Sequence, residues 1–239
     1  MLTALHGFTE TDDVWSEVLE PLKRPLRCPL LPGHGWRPCP AGTSIKSVAS
    51  ELAAKLPANG DLLGYSLGGR IALQLALDHP TKLSRLVLIS STAGLRDAKE
   101  REKRVRHDHA FAEVLEEDGL GPFVAWWESN PALKPARVMP RALIEQLRCR
   151  RLNQDPRGLA GVLRHLGTGE MPDLWPRLGE LKLPVLLIAG ESDPRYVEVM
   201  KAMAAKIPNA RLELVPGCGH AVHREAPNEL IDLLRAFLA

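Results

Sequence analysis

The chain has 239 residues, of which 45% are hydrophobic and 25% are charged, and its formal net charge is +2 at pH 7. These values are typical of a globular protein and exclude the low-hydrophobicity, high-charge composition of a disordered chain. The small net charge gives no electrostatic basis for nucleic-acid binding, and no apolar run approaches the ~20 residues that a membrane-spanning helix needs. We therefore expect neither a nucleic-acid partner nor a membrane.

The spacing of the cysteines and the first residues of the chain indicate the cellular location of the protein. The cysteines are scattered without a C-x-x-C pair, at Cys28, Cys39, Cys149 and Cys218. This argues against a disulfide framework or a zinc site and favours a reducing cytoplasm. The opening residues carry neither a charged leader nor a long apolar stretch, so we expect no signal peptide. No metal-ligand pattern emerges, and we expect neither a metal ion nor a cofactor.

Apolar runs alternate with amphipathic segments over the first part of the chain. In chain order the pattern predicts a strand at 2–5, a helix at 12–19, a weak strand at 26–31, a helix at 45–56, a strand at 61–63, a helix at 67–77 and a strand at 86–89. After a long gap it predicts strands at 184–189 and 211–215 and a helix at 227–238. Such alternation indicates an α/β fold with a mostly parallel sheet and helices on both faces.

The gap is helical in periodicity and rich in arginine. A helical insertion between two strands usually lies over the carboxyl ends of the strands, where ligands bind. We therefore predict a first part of the core at 1–93, a helical cap at 94–180, and a second part of the core at 181–239.

Residues Gly64-Tyr65-Ser66-Leu67-Gly68 fit the pattern G-x-S-x-G. The alternative interpretation is a plain glycine-rich loop. The segment follows a predicted strand and opens a predicted helix, which is the arrangement that projects a nucleophilic serine above a sheet. We therefore predict that Ser66 is a nucleophile, whose hydroxyl needs an imidazole and a carboxylate to activate it.

In this arrangement the acid and the histidine follow the serine along the chain. Asp193 comes just after the strand at 184–189, and His220 comes after the strand at 211–215. Glu191 is the rival acid and His223 is the rival base. The N–H groups of Leu67 and Phe8 are the candidate oxyanion donors.

With His6-Gly7-Phe8, Pro32-Gly33-His34-Gly35, the serine motif, Asp193 and Gly219-His220 in this order, the chain resembles the α/β-hydrolase superfamily over its full length. Three segments, 64–70, 151–169 and 220–225, resemble more narrowly the 2-succinyl-6-hydroxy-2,4-cyclohexadiene-1-carboxylate synthase family of menaquinone biosynthesis. That family is a carbon–oxygen lyase that expels pyruvate. The resemblance implies that Ser66, assisted by His220 and Asp193, removes a substrate proton.

The same resemblance implies substrate-binding roles for Tyr65, Arg70, Trp127 and Arg151. A further cap arginine of the family matches either of two residues, Arg104 and Arg106. The arginine excess of the cap independently suits a small anionic substrate, although a solvated helix face explains most of these arginines equally well.

Leu30 stands where the family commonly has an aspartate, which is a departure from its pattern. The competing hypotheses are a carboxylesterase or carbon–carbon bond hydrolase that uses the same triad, and a ligand receptor that keeps the fold without catalysis. The sequence leaves monomer and homodimer open.

Overall fold

The protein is described from a computed structural model, and the structure describes residues 1–131 and 133–239. Within these residues the strands are β1 (Leu2–Leu5), β2 (Leu26–Arg27), β3 (Gly60–Tyr65), β4 (Leu83–Ile89), β5 (Val185–Gly190) and β6 (Ala210–Val215). They form one sheet in the order β2-β1-β3-β4-β5-β6, and every neighbouring pair is parallel. The α/β fold with a parallel sheet is therefore confirmed.

The α-helices of the described part are α1 (Asp13–Leu19), α2 (Ile45–Lys55), α3 (Leu67–Asp78), α4 (Ala98–Glu117), α5 (Leu120–Ser129), α6 (Arg141–Leu152), α7 (Pro156–Leu166), α8 (Pro194–Ala204), α9 (Val222–Glu225) and α10 (Pro227–Leu238). Short 3-10 turns lie at Glu20–Leu22, Pro80–Lys82 and Trp175–Glu180. Among the described residues, no helix combines the length and the apolarity that crossing a membrane requires.

Side chains of the central strands are buried on both faces of the sheet. In β3, Leu62 packs into the core beneath α2, α3 and α8, whereas Leu63 packs into the core beneath α1 and α10. Successive side chains of a strand point to opposite faces, so a strand that is covered on both sides needs a continuous apolar run. This explains the runs of leucine, valine and isoleucine in β4 and β5.

Helices α4 to α7 stand between β4 and β5 in the chain, where the sequence predicts the helical cap. They have a small core of their own, in which Phe123 of α5 packs with Ala112 of α4 and Leu159 of α7. Phe8, from the loop after β1, packs against this core and against the core of the sheet. The insertion is thus in contact with the loop that follows β1.

The strand predicted at 26–31 is wrong in length, because the structure ends β2 at Arg27. Pro29 has no N–H for the sheet hydrogen bonds, which accounts for the early end. β3 and β4 extend beyond their predicted limits by a few residues at 60–65 and 83–89.

The close approach of α3 to β1 yields a prediction about stability. A Cβ on Gly68 would lie 2.3 Å from the carbonyl oxygen of Leu5 and 2.6 Å from that of His6. Because these are backbone atoms, Gly68→Ala should lower the free energy of unfolding by at least about 2 kcal/mol. Gly121 of α5 has open space around its Cα, so Gly121→Ala is the control and should gain up to about 1 kcal/mol. Urea unfolding measures both, and equal midpoints for the two variants would contradict the packing argument.

Candidate active site

Ser66 lies at a sharp turn between β3 and α3. Its φ of +50° and ψ of −108° are a conformation that L-residues rarely adopt. The turn is held by two hydrogen bonds, from the N–H of Ser66 to the carbonyl of Ile89 (2.9 Å) and from the hydroxyl of Ser91 to the carbonyl of Ser66 (3.1 Å). A Cβ on Gly64 would lie 2.4 Å from the carbonyl oxygen of Gly68. The glycines of the motif are therefore required by the closeness of strand and helix.

His220 lies between Ser66 and Asp193. Its Nδ1 is 2.8 Å from Oδ2 of Asp193, and its Nε2 is 3.4 Å from Oγ of Ser66. All three residues follow parallel strands, whose carboxyl ends meet at one edge of the sheet. Since the carboxylate can only accept, Nδ1 carries the hydrogen, and Nε2 is left as the acceptor for the serine hydroxyl. This arrangement can draw a proton from Ser66.

The two rival residues are engaged elsewhere. Glu191 is exposed, and its carboxylate accepts the N–H of Gly217 (3.2 Å). His223 is fully buried, and its Nε2 lies 2.9 Å from Oε1 of Glu10. The geometry therefore favours Asp193 and His220 over both alternatives.

The loop after β1 presents the N–H of Phe8. The N–H of Leu31 donates to Nε2 of His6 (3.0 Å), so Nδ1 of His6 carries the hydrogen and donates to the carbonyl of Gly7 (2.9 Å). Burial lowers the pKa of His6, which keeps the ring neutral. This contact fixes the peptide plane between Gly7 and Phe8, and no described residue accepts a hydrogen bond from the Phe8 N–H.

The N–H of Leu67 is the second candidate donor. Leu67 is the first residue of α3, and the first N–H groups of an α-helix have no partner within the helix. A helix N-terminus also favours negative charge. Both N–H groups that the sequence singles out are thus available to an oxyanion.

A cavity of about 320 Å³ opens above Ser66 and His220. One wall is aromatic and is formed by Phe8, Phe111, Phe123, Trp126 and Trp127. The charged lining has three arginines, Arg70, Arg104 and Arg195, and two aspartates, Asp108 and Asp193. A ligand with both apolar carbon and carboxylates suits this lining.

Arg70 is the buried cation of the cavity. It is 8% exposed, and its guanidinium donates to the carbonyl of Leu166 (2.6 Å). Burial lowers the pKa of Arg70 to about 10, so the side chain still carries its charge at neutral pH. None of the described carboxylates forms an ion pair with it.

The structure places only one of the two alternative cap arginines, Arg104 and Arg106, on the cavity. Arg104 lines the cavity and pairs with the buried carboxylate of Asp108 (2.8 Å). Arg106 is 65% exposed, pairs with Glu102 (2.8 Å), and does not line the cavity.

Trp127 lines the cavity, whereas Tyr65 and Arg151 do not. Tyr65 is buried, with its ring 4.3 Å from that of His223 and 5.5 Å from that of His220. Arg151 pairs with Glu128 (3.0 Å) and lines a smaller cavity of about 150 Å³, which shares Trp127 with the main one. Their predicted contact with substrate therefore stays a prediction.

The sequence reasoning missed several residues that line the cavity, among them Arg195 and Tyr196. Both residues lie in the first turn of α8, which begins at Pro194 immediately after Asp193. The ring of Tyr196 lies 4.6 Å from that of His220. Their position next to the predicted acid, at the start of a helix, is a signal that could have found them.

A family model described as "Alpha/beta hydrolase family" matches residues 4–233. A protein from Bacillus subtilis (strain 168) is 35% identical over 99% of this chain and 89% of its own length, and its name assigns it provisionally as a 2-succinyl-6-hydroxy-2,4-cyclohexadiene-1-carboxylate synthase. The synthase of that name from Serratia proteamaculans (strain 568) is 30% identical, over 98% of this chain and 91% of its own. The solved structure of MenH from S. aureus superposes with a TM-score of 0.94 at 34% identity, covering 99% of this chain and 92% of that one.

The different contacts of Asp193 and Glu191 yield a prediction about reactivity. Asp193→Asn should slow the reaction of Ser66 with a p-nitrophenyl alkylphosphonate by about 10³-fold or more, because the histidine loses the partner that fixes its tautomer. Glu191→Gln is the matched control and should react at the wild-type rate, because Glu191 contacts neither ring nor hydroxyl. Release of p-nitrophenol measures both rates, and the reverse ranking would identify Glu191 as the acid.

Proposed function

We propose a function from one premise: this chain belongs to the alpha/beta hydrolase family. It is an enzyme of that superfamily. We propose that it is a carbon–oxygen lyase of the 2-succinyl-6-hydroxy-2,4-cyclohexadiene-1-carboxylate synthase type. It would eliminate pyruvate from a polycarboxylate intermediate of menaquinone biosynthesis.

The observation that carries the proposal is the buried charge of Arg70. A buried cation is costly unless an anion compensates it, and among the described residues the guanidinium of Arg70 donates only to the carbonyl of Leu166. It stands one helical turn after Ser66, on the same cavity. An ester hydrolase needs an apolar acyl pocket at this place, whereas a substrate carboxylate would complete the site around Arg70.

The chemistry follows from the arrangement of Ser66, His220 and Asp193. We propose that Ser66, whose own proton is held by His220, takes a proton from a substrate carbon. The electron pair of that C–H bond forms one additional double bond, and the C–O bond to the pyruvate group breaks with its electron pair leaving on the oxygen. The N–H groups of Phe8 and Leu67 stabilise the oxygen on which negative charge develops. His220 then returns the proton to the leaving group.

We further propose a core at 1–93 and 181–239 and a cap at 94–180. We also propose a cytoplasmic location and a monomeric or homodimeric state. The proposed ligand is a small anionic molecule, without a metal ion or cofactor.

Release of pyruvate from the menaquinone-pathway precursor tests the proposal. Wild-type enzyme should release one pyruvate for each substrate consumed, and Ser66→Ala should lower kcat by about 10³-fold or more. Cleavage of p-nitrophenyl esters without pyruvate release would overturn the lyase and identify a hydrolase that uses the same residues. If the Ser66→Ala variant instead keeps the full biological function of the wild type, the protein is a ligand receptor.

The cavity arginines yield a further prediction. Arg70→Ala and Arg104→Ala should each lower kcat/KM for the precursor by about 10- to 100-fold, because each removes a charge-assisted hydrogen bond to a carboxylate. Arg106→Ala is the matched control and should leave kcat/KM unchanged, because it lies on the same helix as Arg104 but outside the cavity. Equal losses from Arg104→Ala and Arg106→Ala would contradict this placement of the binding charge.

A further inference from the structure

Glu10 is a buried carboxylate on the loop after β1. Its side chain is 4% exposed, and it does not line the cavity above Ser66. Oε2 of Glu10 accepts the N–H of Gly7 at 2.9 Å. Gly7 immediately precedes Phe8, whose N–H is a candidate oxyanion donor.

The other oxygen of Glu10 contacts α9, the short helix that follows His220. Nε2 of His223 lies 2.9 Å from Oε1, and the guanidinium of Arg224 forms an ion pair with the same oxygen. Arg224 is 9% exposed and His223 is fully buried. One carboxylate therefore joins the loop that carries Phe8 to the segment that carries His220.

The charges in this cluster are balanced. Burial alone would raise the pKa of Glu10, but Arg224 and His223 outweigh it and hold the pKa well below its usual range. Burial lowers the pKa of His223, so the ring is neutral and its Nε2–H donates to Glu10. The cluster is thus one carboxylate, one guanidinium and one neutral imidazole, fixed by hydrogen bonds in a water-poor interior.

Gly7 is the reason that the loop needs this support. A Cβ at Gly7 would lie 2.5 Å from the ring of Tyr65, so the position requires glycine, which restricts its own backbone least of all residues. Nδ1–H of His6 donates to the carbonyl of Gly7 and so restrains the peptide plane that follows Gly7. The carboxylate of Glu10 accepts the N–H of Gly7 and so restrains the peptide plane that precedes Gly7. Without Glu10, one of the two peptide planes that flank Gly7, the residue before Phe8, loses its side-chain restraint.

We propose that Glu10 is a positioning residue that fixes the Phe8 N–H relative to His220 by binding the Gly7 N–H and α9 simultaneously. It acts through these neighbours and does not touch the substrate. The inference rests on the proposed roles of Phe8 and His220, but it does not depend on whether the substrate undergoes elimination or hydrolysis.

A buried carboxylate at the opposite end of the sheet supplies a matched control. Asp61 is 5% exposed and forms ion pairs with Arg24 (2.8 Å) and Arg85 (3.5 Å). It begins β3 beside Gly60, whereas the candidate site lies at the carboxyl end of that strand. Asp61→Asn and Glu10→Gln therefore both neutralise a buried, arginine-paired carboxylate, but only Glu10 adjoins the oxyanion loop.

The test is the rate at which Ser66 reacts with a p-nitrophenyl alkylphosphonate, whose phosphoryl oxygen occupies an oxyanion hole. Since removal of a whole oxyanion donor costs about 10²- to 10³-fold, we expect Glu10→Gln to slow the reaction by about 10-fold. Asp61→Asn should react at the wild-type rate even if its unfolding midpoint falls as far as that of Glu10→Gln. In turnover, Glu10→Gln should lower kcat and leave KM unchanged.

Glu10→Asp keeps the charge for Arg224 but is too short to hold both the Gly7 N–H and α9, so it should fold and also react slowly. A wild-type rate for either folded variant would overturn the positioning role, as would an equal loss in Asp61→Asn. Failure of the lyase proposal looks different: wild-type enzyme would be phosphonylated normally and release no pyruvate. An unreactive wild-type Ser66 would refute the proposed triad and the role of Glu10 together.

Discussion

The close approach of α3 to the ends of β1 and β3 is the constraint on which the rest of the site depends. The N–H of Gly68 donates to the carbonyl of His6 (3.1 Å), and a Cβ at Gly64 or Gly68 would strike backbone. This packing holds Ser66 in its strained conformation and brings the N-terminus of α3 against the loop that carries Phe8. The same contact thus sets the serine hydroxyl and both candidate oxyanion donors, because all of them belong to elements that meet at Gly68.

Buried charge is the second organising feature. Arg70 on the cavity is buried without an ion-pair partner among the described residues, whereas Glu10 is compensated by Arg224. A compensated pair of buried charges fixes the structure around it, because moving either partner away would leave the other as an unpaired charge in the interior. An uncompensated cation next to the candidate nucleophile Ser66 is suited to an anionic ligand. The two clusters therefore suit different tasks, positioning for Glu10 and binding for Arg70.

The parallel sheet and the proximity of Ser66, Asp193 and His220 could be predicted from sequence, because each residue follows an apolar run and parallel strands end together. The position of Tyr65 could not. Tyr65 is the last residue of β3 and packs in the same core as Leu63, against His223 and outside the cavity, although it directly precedes Ser66 in the motif. Distinguishing Arg104 from Arg106 needed the packing of α4, since two residues rotate the side chain by about half a turn on an α-helix.

Glu10 escaped the sequence analysis for a different reason. In Thr9-Glu10-Thr11-Asp12 it looks like part of a solvated loop, and its partners His223 and Arg224 lie more than 200 residues further along the chain. Only the folded chain brings them together. Local pattern therefore predicts residues whose role comes from their own element, and it misses those whose role is a contact between distant loops.

The mass of the ring product formed from the menaquinone-pathway precursor tests the central claim most directly. Elimination predicts a product whose mass is that of the substrate minus pyruvate, with no oxygen taken up when the reaction runs in ¹⁸O-labelled water. Ser66→Ala should form this product far more slowly. A product heavier by one molecule of water would contradict the account, because it would show that the serine serves hydrolysis.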